Sequence, residues 1–140
     1  MDAALAAEIL RRAAEAPCIE SGGMRVLELK PGLVRLTARH NPEFNGLLSG
    51  FHGGMLAFVA DCAAWFAIVS HTGPDEPLLT TDMHVRYLGA CAGDVRVEAR
   101  VIKLGRTLCP VSVEMFDPEG RLAAVGQVTY IRTNNLRRDA

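Results

Sequence analysis

Apolar residues recur along this chain in two different rhythms. Residues 95 to 104 alternate strictly. Val95, Val97, Ala99, Val101 and Lys103 fall on one side and Arg96, Glu98, Arg100, Ile102 and Leu104 on the other, which is the signature of a strand. Residues 52 to 71, HGGMLAFVADCAAWFAIVSH, do not alternate. They are apolar almost throughout and rich in alanine, and the run is too long for a strand. It predicts one long helix that opens at His52 and the pair Gly53-Gly54 and stops near Thr72-Gly73-Pro74.

Strands are predicted on both sides of that helix. Met24 to Lys30 and Leu33 to Arg39 flank Pro31-Gly32 and form a hairpin. Leu78 to Leu88, Val95 to Leu104, Thr107 to Phe116 and Leu122 to Arg132 follow, with turns at Gly105-Arg106 and Asp117-Pro118-Glu119-Gly120. Residues 40 to 51, HNPEFNGLLSGF, read as a loop. Residues 2 to 16 read as a first helix, capped by Asp2, stopped before Pro17, and lying on the surface because its apolar stripe is thin. Residues 1 to 20 thus supply an N-terminal helix and linker, and residues 133 to 140 a frayed polar tail. The sum is one α+β domain, a curved six-stranded antiparallel sheet wrapped around one long central helix. Ala57, Ala60, Ala63, Ala64 and Ala67 keep that helix slim enough for close contact with a sheet. The open edges of such a sheet invite a second copy.

Composition narrows the picture. The chain has 140 residues, of which 49% are hydrophobic, and a net charge of −1. This argues against disorder and against a nucleic-acid or anionic membrane surface. The most apolar run, 53 to 69, carries Asp61 in its middle and many small residues, so no membrane span is expected. No signal peptide is expected in MDAALAAEILRRAAEA. Cys18, Cys62, Cys91 and Cys109 show no paired spacing and make no zinc pattern with His40, His52, His71 and His84. Reduced thiols, a cytoplasmic location and no metal are the expectation.

The chemistry concentrates on the central helix. Asp61 has Ala57, Phe58, Ala64 and Trp65 as its helical neighbours. A carboxylate there is costly to bury unless it is paired or used; otherwise it occupies the one wet face of a packed helix. Gly53 lets a ligand approach the free N–H groups at the helix start, which favour partial negative charge. His52 either fixes the loop before the helix or takes part in the chemistry. Cys62, about 100° around the helix from Asp61, reads as a small core residue.

Several segments together resemble the hotdog-fold acyl-CoA thioesterases, and most closely their PaaI-like and thioesterase-superfamily branch. They are Asn45-Gly46, His52-Gly53-Gly54, Asp61 nine residues after His52, Thr80-Thr81-Asp82-Met83 leading into Tyr87-Leu88, Gly105-Arg106-Thr107 and Asp117-x-x-Gly120. The resemblance spans roughly residues 24 to 132. It implies a homodimer or homotetramer paired through the sheet edge that hydrolyses acyl-CoA without metal or organic cofactor. It implies Asp61 as the catalytic carboxylate, Gly53 as the N–H that polarises the thioester, and His52 and Asn45 as residues positioning thioester or water. Thr80 would stand beside the attacking water, and Tyr87, Lys103, Gly105, Arg106 and Thr107 would contact the CoA nucleotide. The loop from Asn45 to His52 is one residue longer than in some relatives. Phe51, Phe58 and Trp65 point to an aromatic or medium-chain acyl group. A non-catalytic acyl-CoA binding protein and a hotdog-fold hydratase or dehydratase are the alternatives.

Gly53 and Asp61 are eight positions apart, which is about 12 Å along one helix. One carbonyl cannot touch both. If both act on the same carbon, His52 and Gly53 come from one copy and Asp61 and Thr80 from another.

Overall fold

A computed structural model describes residues 1–136. The chain runs α1 (Ala3–Ala14), α2 (Pro17–Ser21), β1 (Met24–Lys30), β2 (Leu33–Ala38), α3 (Gly53–Thr72), β3 (Leu78–Tyr87), β4 (Val95–Val101), β5 (Leu108–Phe116), β6 (Leu122–Arg132) and a last helical turn, α4 (Thr133–Leu136). The six strands make one antiparallel sheet in the order β1-β2-β4-β5-β6-β3. All six touch α3. A single sheet can do that only by curling around the helix, so this is the hotdog fold expected from the sequence.

Register explains the closeness of the wrap. Val34, Ala99, Val113, Gly126 and Val85 lie in line across five strands. Val34, Ala99 and Val113 are buried, and so are Ala60, Ala63, Ala64 and Ala67 of α3. Small side chains on the helix meet β-branched ones on the sheet, which brings the two layers near. The far end of α3 is tied to the β1–β2 turn. Gly32, at φ 77°, lies against His71 and donates its N–H to Ser70 Oγ at 2.7 Å, and Ser70 donates in turn to the Ala67 carbonyl at 2.6 Å. By length and hydropathy α3 qualifies as a bilayer span after all, yet here the sheet encloses its apolar face.

Four boundaries differ instructively from the sequence reading. The first helix ends at Ala14, and Pro17 starts a second, short helix in what reads as a linker. Proline's missing N–H is no loss at a first helical position. Nor is α1 a mere surface helix: Ile9 is 0% exposed and belongs to the main core. β4 stops at Val101, short of Leu104. The chain bends so tightly beyond it that a Cβ on Gly105 would lie 2.1 Å from the Leu108 carbonyl oxygen, and Ile102 and Leu104 are left exposed. Of the frayed tail expected over 133–140, residues 133–136 form a helical turn and 137–140 lie outside the described residues.

The buried position of Ile9 makes α1 part of the cooperative core. Ile9→Ala is expected to lower the unfolding free energy by about 2–4 kcal/mol in urea titration, the range for a filled aliphatic site. A loss under about 1 kcal/mol would mean that α1 only decorates the surface.

Candidate active site

Two sets of polar groups sit on α3, one at its mouth and one two turns in. At the mouth, His52 adopts an extended backbone and caps the helix: its Nδ1 accepts the Gly54 N–H at 3.0 Å. An accepting Nδ1 puts the ring proton on Nε2. The His52 carbonyl accepts from Met55 at 2.9 Å and Leu56 at 3.1 Å. Of the N–H groups of the first helical turn, Gly53 to Leu56, this leaves that of Gly53 as the one with no acceptor among the described residues. Tyr87, at the end of β3, lies across the mouth. Its hydroxyl donates to the Gly53 carbonyl at 2.5 Å, and a Cβ on Gly53 would sit 3.3 Å from its ring.

The preceding loop is pinned at both ends. Asn45 Oδ1 meets His40 Nε2 at 2.6 Å, and the Phe51 N–H donates to the Cys91 carbonyl at 2.8 Å. Between these anchors Leu47 and Leu48 stand out at 106% and 83% exposure, on the rim of a groove that Gly53 and Tyr87 also line.

Two turns further, Phe58, Asp61, Cys62 and Trp65 form a half-buried stripe at helical spacing. The Thr80 hydroxyl donates to Asp61 Oδ1 at 2.7 Å. Directly across the sheet from Thr80 lies Tyr130 of β6, whose hydroxyl donates to the Asp61 backbone carbonyl at 2.8 Å. Burial holds the Tyr130 phenol well above its ordinary range, so it serves as a neutral donor. Its role was hidden in the sequence because only strand register brings it to Asp61. Burial, with Cys18 and the Asp61 carboxylate close by, pushes Cys62 up to about 12. It remains a thiol at neutral pH and is no rival nucleophile.

The residues expected to contact the nucleotide fall into two groups. Tyr87 pairs with Ala124 at the start of β6, whereas Leu108, next to Thr107, pairs with Ile131 near its end. Seven positions of strand separate them, roughly 23 Å. Tyr87 therefore belongs with Gly53 and His52 at the helix mouth. Lys103, Gly105, Arg106 and Thr107 lie at the other end of the sheet, where the Arg132 guanidinium donates to the Gly105 carbonyl at 3.2 Å and the Arg132 N–H to the Thr107 carbonyl at 2.7 Å. That is the end at which Thr80 enters β3.

Comparison with known proteins points one way. The family description "Thioesterase superfamily" matches residues 50–124, more than half of the chain. Human acyl-coenzyme A thioesterase 13 is 27% identical over 111 residues, which are 77% of this chain and 79% of that protein. A thioesterase family protein from Silicibacter pomeroyi superposes with a TM-score of 0.83 at 25% identity, covering 91% of this chain and 96% of that one. A point mutant of the phenylacetic acid degradation protein PaaI from Thermus thermophilus gives 0.74 at 26% identity, with 84% and 99% covered.

The thiols offer a direct check on the local environments. Cys18 is exposed, Cys62 half-buried, and Cys91 and Cys109 buried; burial raises the last three above the ordinary thiol range. A raised thiol holds less thiolate at any given pH. Ellman titration of the folded protein at pH 8 is expected to release one fast equivalent, and three more only on denaturation. Fast release of two or more would contradict the burial of Cys62, Cys91 and Cys109.

Proposed function

The chain belongs to the thioesterase superfamily, a family of thioester hydrolases, and on that premise we propose that it cleaves acyl-CoA to free acid and CoA at a site shared by two copies. The observation that carries this reading is the open Gly53 N–H, set about 12 Å along one rigid helix from the Asp61–Thr80 pair.

The exposed edge of β3 supplies the means of sharing. Leu79 and Tyr87 on it are 63% and 47% exposed, and β3 has a neighbour, β6, on one side only. Antiparallel pairing of β3 with a second β3, Thr80 of one opposite Tyr87 of the other, would set the helix mouth of each copy beside the carboxylate of its partner. A twofold axis makes two such sites.

In each, the thioester oxygen accepts the Gly53 N–H, a donor aimed where negative charge develops; such donors contribute roughly 3–4 kcal/mol in other hydrolases. His52 holds the mouth in shape through its cap, and Asn45 steadies the loop through His40. Asp61 of the other copy either removes a proton from water or attacks the carbonyl carbon itself, with Thr80 orienting it. The carbon–sulfur bond breaks, hydroxyl from water ends on the acyl carbon, and the proton ends on the CoA thiolate. Thiolate leaves readily, so no strong general acid is required. Lys103 and Arg106, exposed beside the Gly105 bend, are placed to meet CoA phosphates.

Asp61→Asn keeps the volume and removes the base. Hydrolysis of an acyl-CoA is expected to fall at least roughly a hundredfold, with affinity for CoA little changed. Thr80→Ala should lose activity and Thr80→Ser keep most of it. Full turnover by Asp61→Asn would end the mechanism, and tight binding of acyl-CoA by the wild type without turnover would favour a binding protein instead.

A further inference from the structure

The sequence of β3 is complementary to itself in charge. Met83 and Val85 are half-buried on the face towards α3, while Asp82, His84 and Arg86 are exposed on the other. Asp82 and Arg86 thus flank His84 at equal spacing with opposite charges. We infer that two copies join along β3 about a twofold axis that passes between their His84 residues, and that Arg86 of each copy pairs with Asp82 of the other to fix this register. The inference rests on the two-copy reading above and adds to it the residues that select the partner.

Three observations carry it. Geometry comes first. Both copies keep α3 on the same side of a joined sheet only if exposed positions of β3 face exposed ones and inner positions face inner ones. With His84 opposite itself, Val85 faces Met83 of the other copy and Arg86 faces Asp82, and each contact occurs twice, as twofold symmetry requires. Sliding the strands by two residues keeps the faces but loses the match. In one direction Arg86 meets His84 and Asp82 meets Leu88; in the other, Asp82 meets His84 and Arg86 meets Leu79. Of the three registers, the one centred on His84 alone sets acid against base, and opposite charges directly across a strand pair stabilise it.

Availability is second. On β1, β2 and β4 the exposed charges are matched within one copy: Arg35 binds Glu28 and also Glu98 at 2.8 Å, and Arg100 binds Glu98 at 2.8 Å. At the free edge, Asp82 accepts the Thr81 hydroxyl at 3.1 Å, and among the described residues neither Asp82 nor Arg86 has an ion-pair partner.

The site itself is third. Thr80 pairs with Tyr130 and Asp82 with Thr129, so Thr81 is an extra residue that returns Thr80 to the inner face. One step beyond the Arg86–Asp82 pair, Tyr87 therefore meets Thr80 of the other copy across this bulge. Tyr87 is bound to Gly53 and Thr80 to Asp61. The charges and the chemistry call for the same register, although they share no residue.

The register can be read by cross-linking. Directly opposed residues of an antiparallel pair lie roughly 4.5–5.5 Å apart at Cα, inside the span of about 4.4–6.8 Å that a disulfide bridges. In a Cys18→Ser background, which removes the exposed native thiol, His84→Cys is expected to form a covalent dimer under copper phenanthroline. Gln127→Cys, exposed on the same face one strand inward, should not. Charge exchange tests the pairing. Arg86→Asp and Asp82→Arg are each expected to raise the dimer dissociation constant at least tenfold, and the double exchange in one chain to bring it back to within about threefold of wild type. An equal mixture of the two single variants should form mixed dimers in preference to either homodimer in native mass spectrometry. A monomeric wild type overturns the inference, and so does a dimer in which His84→Cys fails to cross-link or the single variants mix without preference. If that dimer nevertheless hydrolyses acyl-CoA, the register is wrong and the hydrolase reading stands. If the cross-link and the mixed dimers form but no acyl-CoA is cleaved, the register holds and the hydrolase reading fails.

Discussion

Everything in this molecule depends on the closeness with which one sheet is wrapped around one helix. Alanines at 60, 63, 64 and 67 remove the bulk that would hold the layers apart, and all six strands reach α3. A helix enclosed this way cannot slide or tilt without opening cavities across its whole length. Its two chemical assets, an open N–H at the first position and a carboxylate two turns on, are then fixed at a separation no single carbonyl can bridge. The packing that gives the fold its stability also sets the separation from which the proposed two-copy site follows.

Much of the architecture was legible from local pattern. The alternation of Val95, Val97 and Ala99 and the unbroken apolar run after His52 each commit a segment to one element, and Gly and Pro mark the turns between. What escaped local reading was set by distant contacts. Pro17 ends one helix and begins another because α2 has a place to pack. β4 stops early because the chain bends at Gly105 soon after Val101, which leaves Ile102 and Leu104 exposed. Ile9 looks like half of a thin stripe until α3 covers it.

The same division holds for the site. Asp61 stood out because a carboxylate on so apolar a helix needs a reason, and Gly53 because a glycine pair opens that helix. Periodicity could not supply the pairing that sets Tyr130 opposite Thr80, or the strand length that parts Tyr87 from the loop at Lys103 to Thr107. His52 could be read from sequence as cap or as chemistry; its Nδ1 is engaged in the cap. The N-terminal helices gain most from the structure, since one of their faces closes the core with Ile9 and Ala13 while Ala16 and Ile19 wall a cavity beside Asp61.

The shared site is tested most directly by mixing two dead variants, Asp61→Asn and Gly53→Pro. Proline deletes the N–H at a first helical position, where its ring is tolerated, and circular dichroism checks that the fold survives. In a mixed dimer one site carries both lesions, while the other pairs an intact Gly53 with an intact Asp61. Equal, fully exchanged mixtures contain about half mixed dimers, so activity should return to roughly a quarter of wild type. If mass spectrometry shows complete exchange and no activity returns, Gly53 and Asp61 do not meet across an interface, and the account is wrong.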